Sequence, residues 1–226
     1  MMEVKAASKR EQSQACLSSV EREQAQPKVK VCGMRDAENI REVEALGIDL
    51  MGLIFWPKSS RYVAEKPDYL PTTCKRVGVF VDADIDDIRQ HIHDYGLDIV
   101  QLHGHESPEY IKDLGGVSII KAFTIATASD LAQTRSYEGL ADCFLFDAKG
   151  KLAGGNGSQF DWSVLEAYDG DTPFLLSGGI GPDDADRVKA FRHDKCIGID
   201  LNSRFEIAPA LKDVNKLRTF IKAIRL

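Results

Sequence analysis

Several features are missing from this chain, and each absence excludes a class of function. No apolar run in the 226 residues approaches the roughly 18 needed to cross a bilayer, and no apolar core of a secretory signal stands near the N-terminus. Lysine and arginine never occur more than two together, and 29 of them face 35 acidic residues for a net charge of −6. That balance argues against nucleic acid or an anionic membrane as a partner, since both are held by basic patches. Cysteine is sparse, odd in number and without a Cys-x-x-Cys pair: Cys16, Cys32, Cys74, Cys143 and Cys196. Scattered thiols of this kind point to a reducing, cytoplasmic setting rather than a disulfide framework or a zinc cage. No Gly-x-Gly-x-x-Gly run with a following acidic residue is present, so no dinucleotide is expected. His91 and His93 are two apart on a helical stretch, where side chains diverge, and His105 follows Gly104 in a loop. Neither a metal nor any other cofactor is expected.

What is present divides at about residue 26. Residues 1–26 are rich in Glu, Gln, Ser, Ala and Lys, contain no aromatic residue, and have no apolar stripe, the composition of a flexible extension. From residue 27 to 226 short β-branched or apolar runs alternate with amphipathic stretches. Strands are expected near 28–32, 50–55, 76–81, 99–103, 119–123, 143–147, 174–177 and 196–201. Helices are expected near 37–46, 65–71, 84–95, 107–114, 129–138, 161–168, 182–191 and 213–225, with Ser107, Asp161 and Gly181 placed as caps. Eight strands, each followed by a helix, fit a single (β/α)₈ TIM barrel, with a doubly wound sheet as the rival that counting alone leaves open.

Alternation along the strands then sorts the polar residues. If Val29 and Val31 face the helices, Lys30 and Cys32 face inward, with Cys32 at the C-terminal end. The same parity turns Asp147 inward beside outward Phe144 and Phe146, Gln101 and His103 inward from 99–103, and Asp200 inward from 196–200. Singly, a strand-end cysteine is a small buried hydrophobe and a strand-end aspartate a turn residue. Their coincidence at one rim, where barrels build active sites, shifts the reading of the set towards function. Two glycine clusters follow late strands: Gly154-Gly155-Asn156-Gly157, and Gly178-Gly179 with Gly181 before a helix. Such loops turn backbone N–H groups towards an anion, and the segment after the eighth strand adds Asn202 and Ser203. A phosphate between the seventh and eighth loops is the expected ligand.

Taken together, these segments resemble the phosphoribosylanthranilate isomerases of tryptophan biosynthesis. The resemblance runs from about Lys28 to the C-terminus, through Lys30-Val31-Cys32-Gly33, Pro57-Lys58-Ser59-Ser60-Arg61-Tyr62-Val63, Gly78-Val79-Phe80-Val81, Val100-Gln101-Leu102-His103-Gly104 and Phe146-Asp147. It continues through the 154–157 glycines with Phe160-Asp161-Trp162, then Leu176-Ser177-Gly178-Gly179-Ile180 and Gly198-Ile199-Asp200-Leu201-Asn202-Ser203. It implies a cofactor-free Amadori rearrangement with Cys32 as general base and Asp147 as general acid. Arg61 would hold the substrate carboxylate, and His103, Gly155, Gly178, Gly179, Asp200, Asn202 and Ser203 would contact a small phosphorylated sugar. The chain departs from the family pattern at Asn156, where threonine is usual, and at Asn202-Ser203-Arg204, where Ser-Ser-Gly is usual. A thiolate base needs its pKa brought below the ordinary value of about 8.5, and Lys30, two residues back on the same strand face, is the candidate cation. Residues 150–158 are the candidate lid. Other phosphate-binding barrels, or a catalytically silent barrel acting as a binding module, are the alternatives. The barrel is expected to exist as a monomer or homodimer.

Overall fold

The computed structural model describes residues 26–148 and 161–226. Eight parallel strands form a closed barrel: β1 Lys28–Cys32, β2 Leu50–Ile54, β3 Lys75–Phe80, β4 Ile99–Leu102, β5 Ser118–Ile125, β6 Cys143–Ala148, β7 Phe174–Ser177 and β8 Cys196–Leu201. β1 pairs with β2 through Cys32 and Gly52, and with β8 through Lys30 and Asp200, so the ring closes and the doubly wound alternative is excluded. The expected (β/α)₈ architecture is therefore the observed one.

Alternation of side chains builds two cores. Leu50, Val77, Val79, Ile120, Ala122, Cys143, Leu145 and Leu175 fill the barrel interior together with Cys32. Val29, Val31, Phe144, Phe146, Phe174 and Leu176, one residue out of phase, pack outward under the helices. A fully buried aliphatic or aromatic side chain of this kind contributes about 1.5–3 kcal/mol.

The helices are α1 Ala37–Glu44, α2 Ile85–Tyr95, α3 Pro108–Leu114, α4 Ala185–Ala190 and α5 Val214–Arg225. Each of the longer ones shows why it forms. In α5 the buried residues Leu217, Phe220, Ile221 and Ile224 follow the three-and-four spacing of a helix face, and the Asp213 side chain caps the start by accepting from Lys216 N at 3.1 Å. Ser107 caps α3 ahead of Pro108 in the same way.

The helical expectation fails in one place and weakens in three. Nothing helical forms over 65–71: Pro67 and Pro71 deny the α region to the residues before them and remove two N–H donors. The β2–β3 connection instead runs extended, with Val63 N donating to Ile54 O and Glu44 at the end of α1 accepting from Tyr69, Thr72 and Thr73. The stretches Ala128–Tyr137, Trp162–Ala167 and Pro182–Asp184 are 3₁₀ turns rather than α-helices. After β8 an unforeseen antiparallel hairpin appears, β9 Glu206–Ala208 with β10 Leu211–Lys212. The extension over residues 1–25 and the candidate lid at 150–158 lie outside the described residues. Among the described residues no helix is long and apolar enough to cross a membrane.

Candidate active site

A cavity of about 440 Å³ opens at the C-terminal mouth of the barrel. Its wall includes Cys32, Arg61, His103, Asp147, Gly178, Gly179, Asp200, Asn202 and Ser203, together with Gln101, Ser177 and Arg204. Residues from Cys32 to Arg204 are gathered here by strand ends and the loops that follow them. Gly155, with the cluster around it, lies outside the described residues.

Cys32 and Asp147 stand on β1 and β6, which are not neighbours in the ring, so the thiol and the carboxyl face a common space across the mouth. Cys32 is almost wholly buried. Burial pushes its thiol above the ordinary range, and although Lys30 and Lys212 pull it down, Asp200 adds to the rise. The expectation of a depressed thiol is thus reversed: desolvation outweighs the cations. Lys30, fully buried, donates to Asp200 Oδ1 at 2.7 Å. Burial disfavours its ammonium, but Asp200 and Cys32 outweigh that and leave its pKa raised. Lys30 is therefore both an ion-pair partner and a charge beside the thiol. Asp200 is engaged on both oxygens, since Ser177 donates to Oδ2 at 3.1 Å.

His103 stands just past the end of β4, with Nε2 3.8 Å from Asp147 Oδ2. Its Nδ1 lies 3.1 Å from Gln101 Nε2. That contact joins the two side chains and leaves the other ring nitrogen facing Asp147. Gln101 Oε1 is buried with no hydrogen-bond partner among the described residues.

Arg61 enters from the loop after β2 and makes a bidentate pair with Glu206, Nε to Oε1 at 2.8 Å and Nη2 to Oε2 at 2.6 Å. Its path crosses the end of β1 over Gly33, where a Cβ would sit 2.6 Å from Arg61 Cδ and 2.9 Å from Asn202 Oδ1. Only glycine leaves that crossing open, and its φ of 78° suits no other residue well. Two strands round the ring from β1, Gly178 and Gly179, at φ 95° and 69°, turn the backbone at the end of β7. The helical segment beyond them already has a cap, because Gly181 N donates to Asp184 Oδ2 at 2.7 Å. An anion in this corner would meet the glycine turn and the Asn202-Ser203-Arg204 segment rather than that helix start. Among the described residues no group of three or more His, Cys, Asp or Glu side chains is placed to hold a metal ion.

The profile of the family described as N-(5'phosphoribosyl)anthranilate (PRA) isomerase matches residues 29–223. The chain belongs to this family. It is 51% identical over 204 residues to the N-(5'-phosphoribosyl)anthranilate isomerase of Parabacteroides distasonis, covering 87% of this chain and 92% of that protein. It is 49% identical to the enzyme of the same name from Phocaeicola vulgatus, covering 87% and 97% of the two chains. Among solved structures it matches a phosphoribosyl anthranilate isomerase in complex with reduced 1-(o-carboxyphenylamino)-1-deoxyribulose 5-phosphate, at TM-score 0.75 and 28% identity over 88% of this chain and 98% of that one.

Within this phosphoribosylanthranilate isomerase fold, the sequence did not single out Glu206, Lys212 or Ser177. Glu206 and Lys212 sit in the hairpin after β8, where no strand periodicity drew attention to them. Ser177 ends β7, where the expected strand also ends, but in the sequence it stands out only within the Leu176–Ile180 segment of the resemblance. The signal that would have found it is its parity: it is two residues beyond the inward Leu175.

Proposed function

We propose that this protein catalyses the isomerisation of N-(5-phosphoribosyl)anthranilate to 1-(2-carboxyphenylamino)-1-deoxyribulose 5-phosphate in tryptophan biosynthesis. The observation that carries this reading is the placement of Cys32 and Asp147 on one cavity from the non-adjacent strands β1 and β6, within a chain of this family. A cavity of about 440 Å³ suits a substrate of one pentose, one aromatic ring and one phosphate.

The reaction needs an acid and a base on opposite sides of the sugar and no electron carrier. Asp147, protonated, gives its proton to the ribose ring oxygen as the C1–O bond breaks, and the anthranilate nitrogen lone pair forms the C1=N bond. Cys32, as thiolate, takes the proton from C2, and the electron pair of that C–H bond moves into C1=C2 as the iminium collapses to an enol-amine. Tautomerisation moves the enol proton to C1 and leaves the ketone at C2. Arg61 holds the anthranilate carboxylate, and the corner formed by Gly178, Gly179, Asn202 and Ser203 receives the phosphate. His103, with Nε2 3.8 Å from Asp147 Oδ2, flanks that carboxyl.

Burial holds the Cys32 thiol above its ordinary range, and this has a kinetic consequence. The free enzyme must give up the thiol proton before it can act, so kcat/KM rises with pH through and above the ordinary thiol range of about 8.5. The test is complementation of a tryptophan auxotroph lacking this isomerase. The wild-type gene rescues growth and the Cys32→Ser form does not. Failure of the wild-type gene with soluble protein present overturns the reading. On this reading the reaction belongs to the cytoplasm, with residues 27–226 as one catalytic unit; the scattered cysteines without a Cys-x-x-Cys pair support a reducing setting.

A further inference from the structure

Arg61 is not alone at the mouth of the cavity. Glu206, 6% exposed, takes the Nε–Nη2 edge of its guanidinium. A guanidinium presents its donors in a rigid planar fork, so a carboxylate on that edge leaves the Nη1–Nη2 edge as the remaining bidentate surface. Glu206 is itself fixed: its Oε1 also accepts from the fully buried Lys212 Nζ at 2.7 Å and from Ala210 N at 3.1 Å. Lys212 donates in addition to Asn202 Oδ1 at 2.8 Å, and its backbone is pinned by both side-chain atoms of Asn39. Burial alone would raise the Glu206 carboxyl, but its bonds to Arg61 and Lys212 hold it below the ordinary range.

The charge count matters as much as the geometry. Arg61 and Glu206 alone cancel and exert little pull on an anion. With Lys212 the cluster carries a net +1, and its outward edge belongs to Arg61.

We propose that Glu206 and Lys212 are positioning residues that turn Arg61 into a one-edged receptor and thereby set the preference of this enzyme for a substrate bearing an aromatic carboxylate. Glu206 fixes which edge of the guanidinium faces the cavity, and Lys212 supplies the charge that keeps the edge attractive. Through Asn202 the same lysine ties this receptor to the corner assigned to the phosphate, so the two ends of the substrate are held in register. The inference rests on the proposed role of Arg61 as carboxylate holder.

Steady-state kinetics with N-(5-phosphoribosyl)anthranilate and with the aniline analogue that lacks the carboxylate separate the two. Wild type prefers the carboxylate substrate by about 10²-fold in kcat/KM. No preference in wild type removes Arg61 from that role, whatever the variants do. Given the preference, Glu206→Gln raises KM for the carboxylate substrate about tenfold with kcat within about threefold, and the preference shrinks at least about tenfold. Lys212→Met acts in the same direction. The double variant Glu206→Gln/Lys212→Met restores the net +1 and leaves no uncompensated buried charge, so a preference lost in it reports orientation rather than charge. A double variant that keeps the full wild-type preference, or single variants whose kcat falls while KM and preference hold, overturns the proposal.

Discussion

Two buried lysine–carboxylate pairs sit on opposite sides of the barrel wall. Inside, Lys30 meets Asp200 at 2.7 Å beneath the cavity. Outside, Lys121 meets Glu106 at 3.0 Å under the loop that follows β4. Both lysines are essentially sealed from solvent. Their surroundings differ. Lys121 donates to Gly104 O at 2.7 Å and faces the rings of Phe123 and Tyr137, while Glu106 accepts from Asp82 N and Gly104 N. Every partner is a backbone group or a ring that does not titrate at neutral pH. Lys30 and Asp200 instead share their space with the Cys32 thiol, and Asp200 borders the cavity. A buried ion pair is weak evidence of stability or of chemistry by itself; what it touches decides which.

The comparison is broken most forcefully on the outer side. Lys121→Met leaves Glu106 as an uncompensated buried charge and is expected to destabilise the fold by about 3–5 kcal/mol. Thermal unfolding should drop by many degrees while kcat, measured where the protein is still folded, stays near wild type. A large loss of kcat in folded Lys121→Met protein would mean that the two pairs do not divide the labour as described.

The next effects fall inside the mouth. Cys32→Ser and Asp147→Asn are each expected to lower kcat by at least about 10²-fold, about 2.7 kcal/mol, with KM broadly kept. Near-wild-type turnover in either form removes that residue from proton transfer. Lys30→Met sharpens the contrast with Lys121. It removes the cation that pulls the Cys32 thiol down, so that thiol rises further and the climb of kcat/KM with pH shifts to higher pH. Lys121→Met should leave the position of that climb unchanged, because its charge lies behind the barrel wall.

How much of this was legible in the sequence follows from the range over which each signal acts. Strand alternation is local, so Val29 and Val31 against Cys32, or Phe144 and Phe146 against Asp147, could be sorted without coordinates. The rim of the barrel then gathered nine of the ten candidate site residues, with Gly155 outside the described segments. Prolines at 67 and 71 are an equally local signal, and they override the amphipathic pattern that predicts a helix over 65–71. The Arg61–Glu206 pair spans 145 residues and the Lys30–Asp200 pair 170. No periodicity encodes such pairings. They exist only once the ring has closed, as does the desolvation that reverses the expected pKa of Cys32.

Another buried carboxylate, at the seam where the missing helix would have been, yields the smallest effect. Glu44 is held by neutral donors, accepting from the Tyr69 hydroxyl, from the Thr72 and Thr73 amides and from the Thr73 hydroxyl. Its burial favours the neutral acid, but those bonds win and bring its pKa down from 4.5 to about 2. A depressed carboxylate contributes stability that is complete above the unfolded value and is lost as pH falls through the folded one. Glu44→Gln is therefore expected to lower stability by about 2 kcal/mol at neutral pH. The gap between the two proteins should narrow as pH falls from about 4.5 towards 2 and close below that. Denaturant titrations across this range check the sign: a gap that widens in acid would mean that the pinned β2–β3 connection is held by something other than the ionised carboxylate.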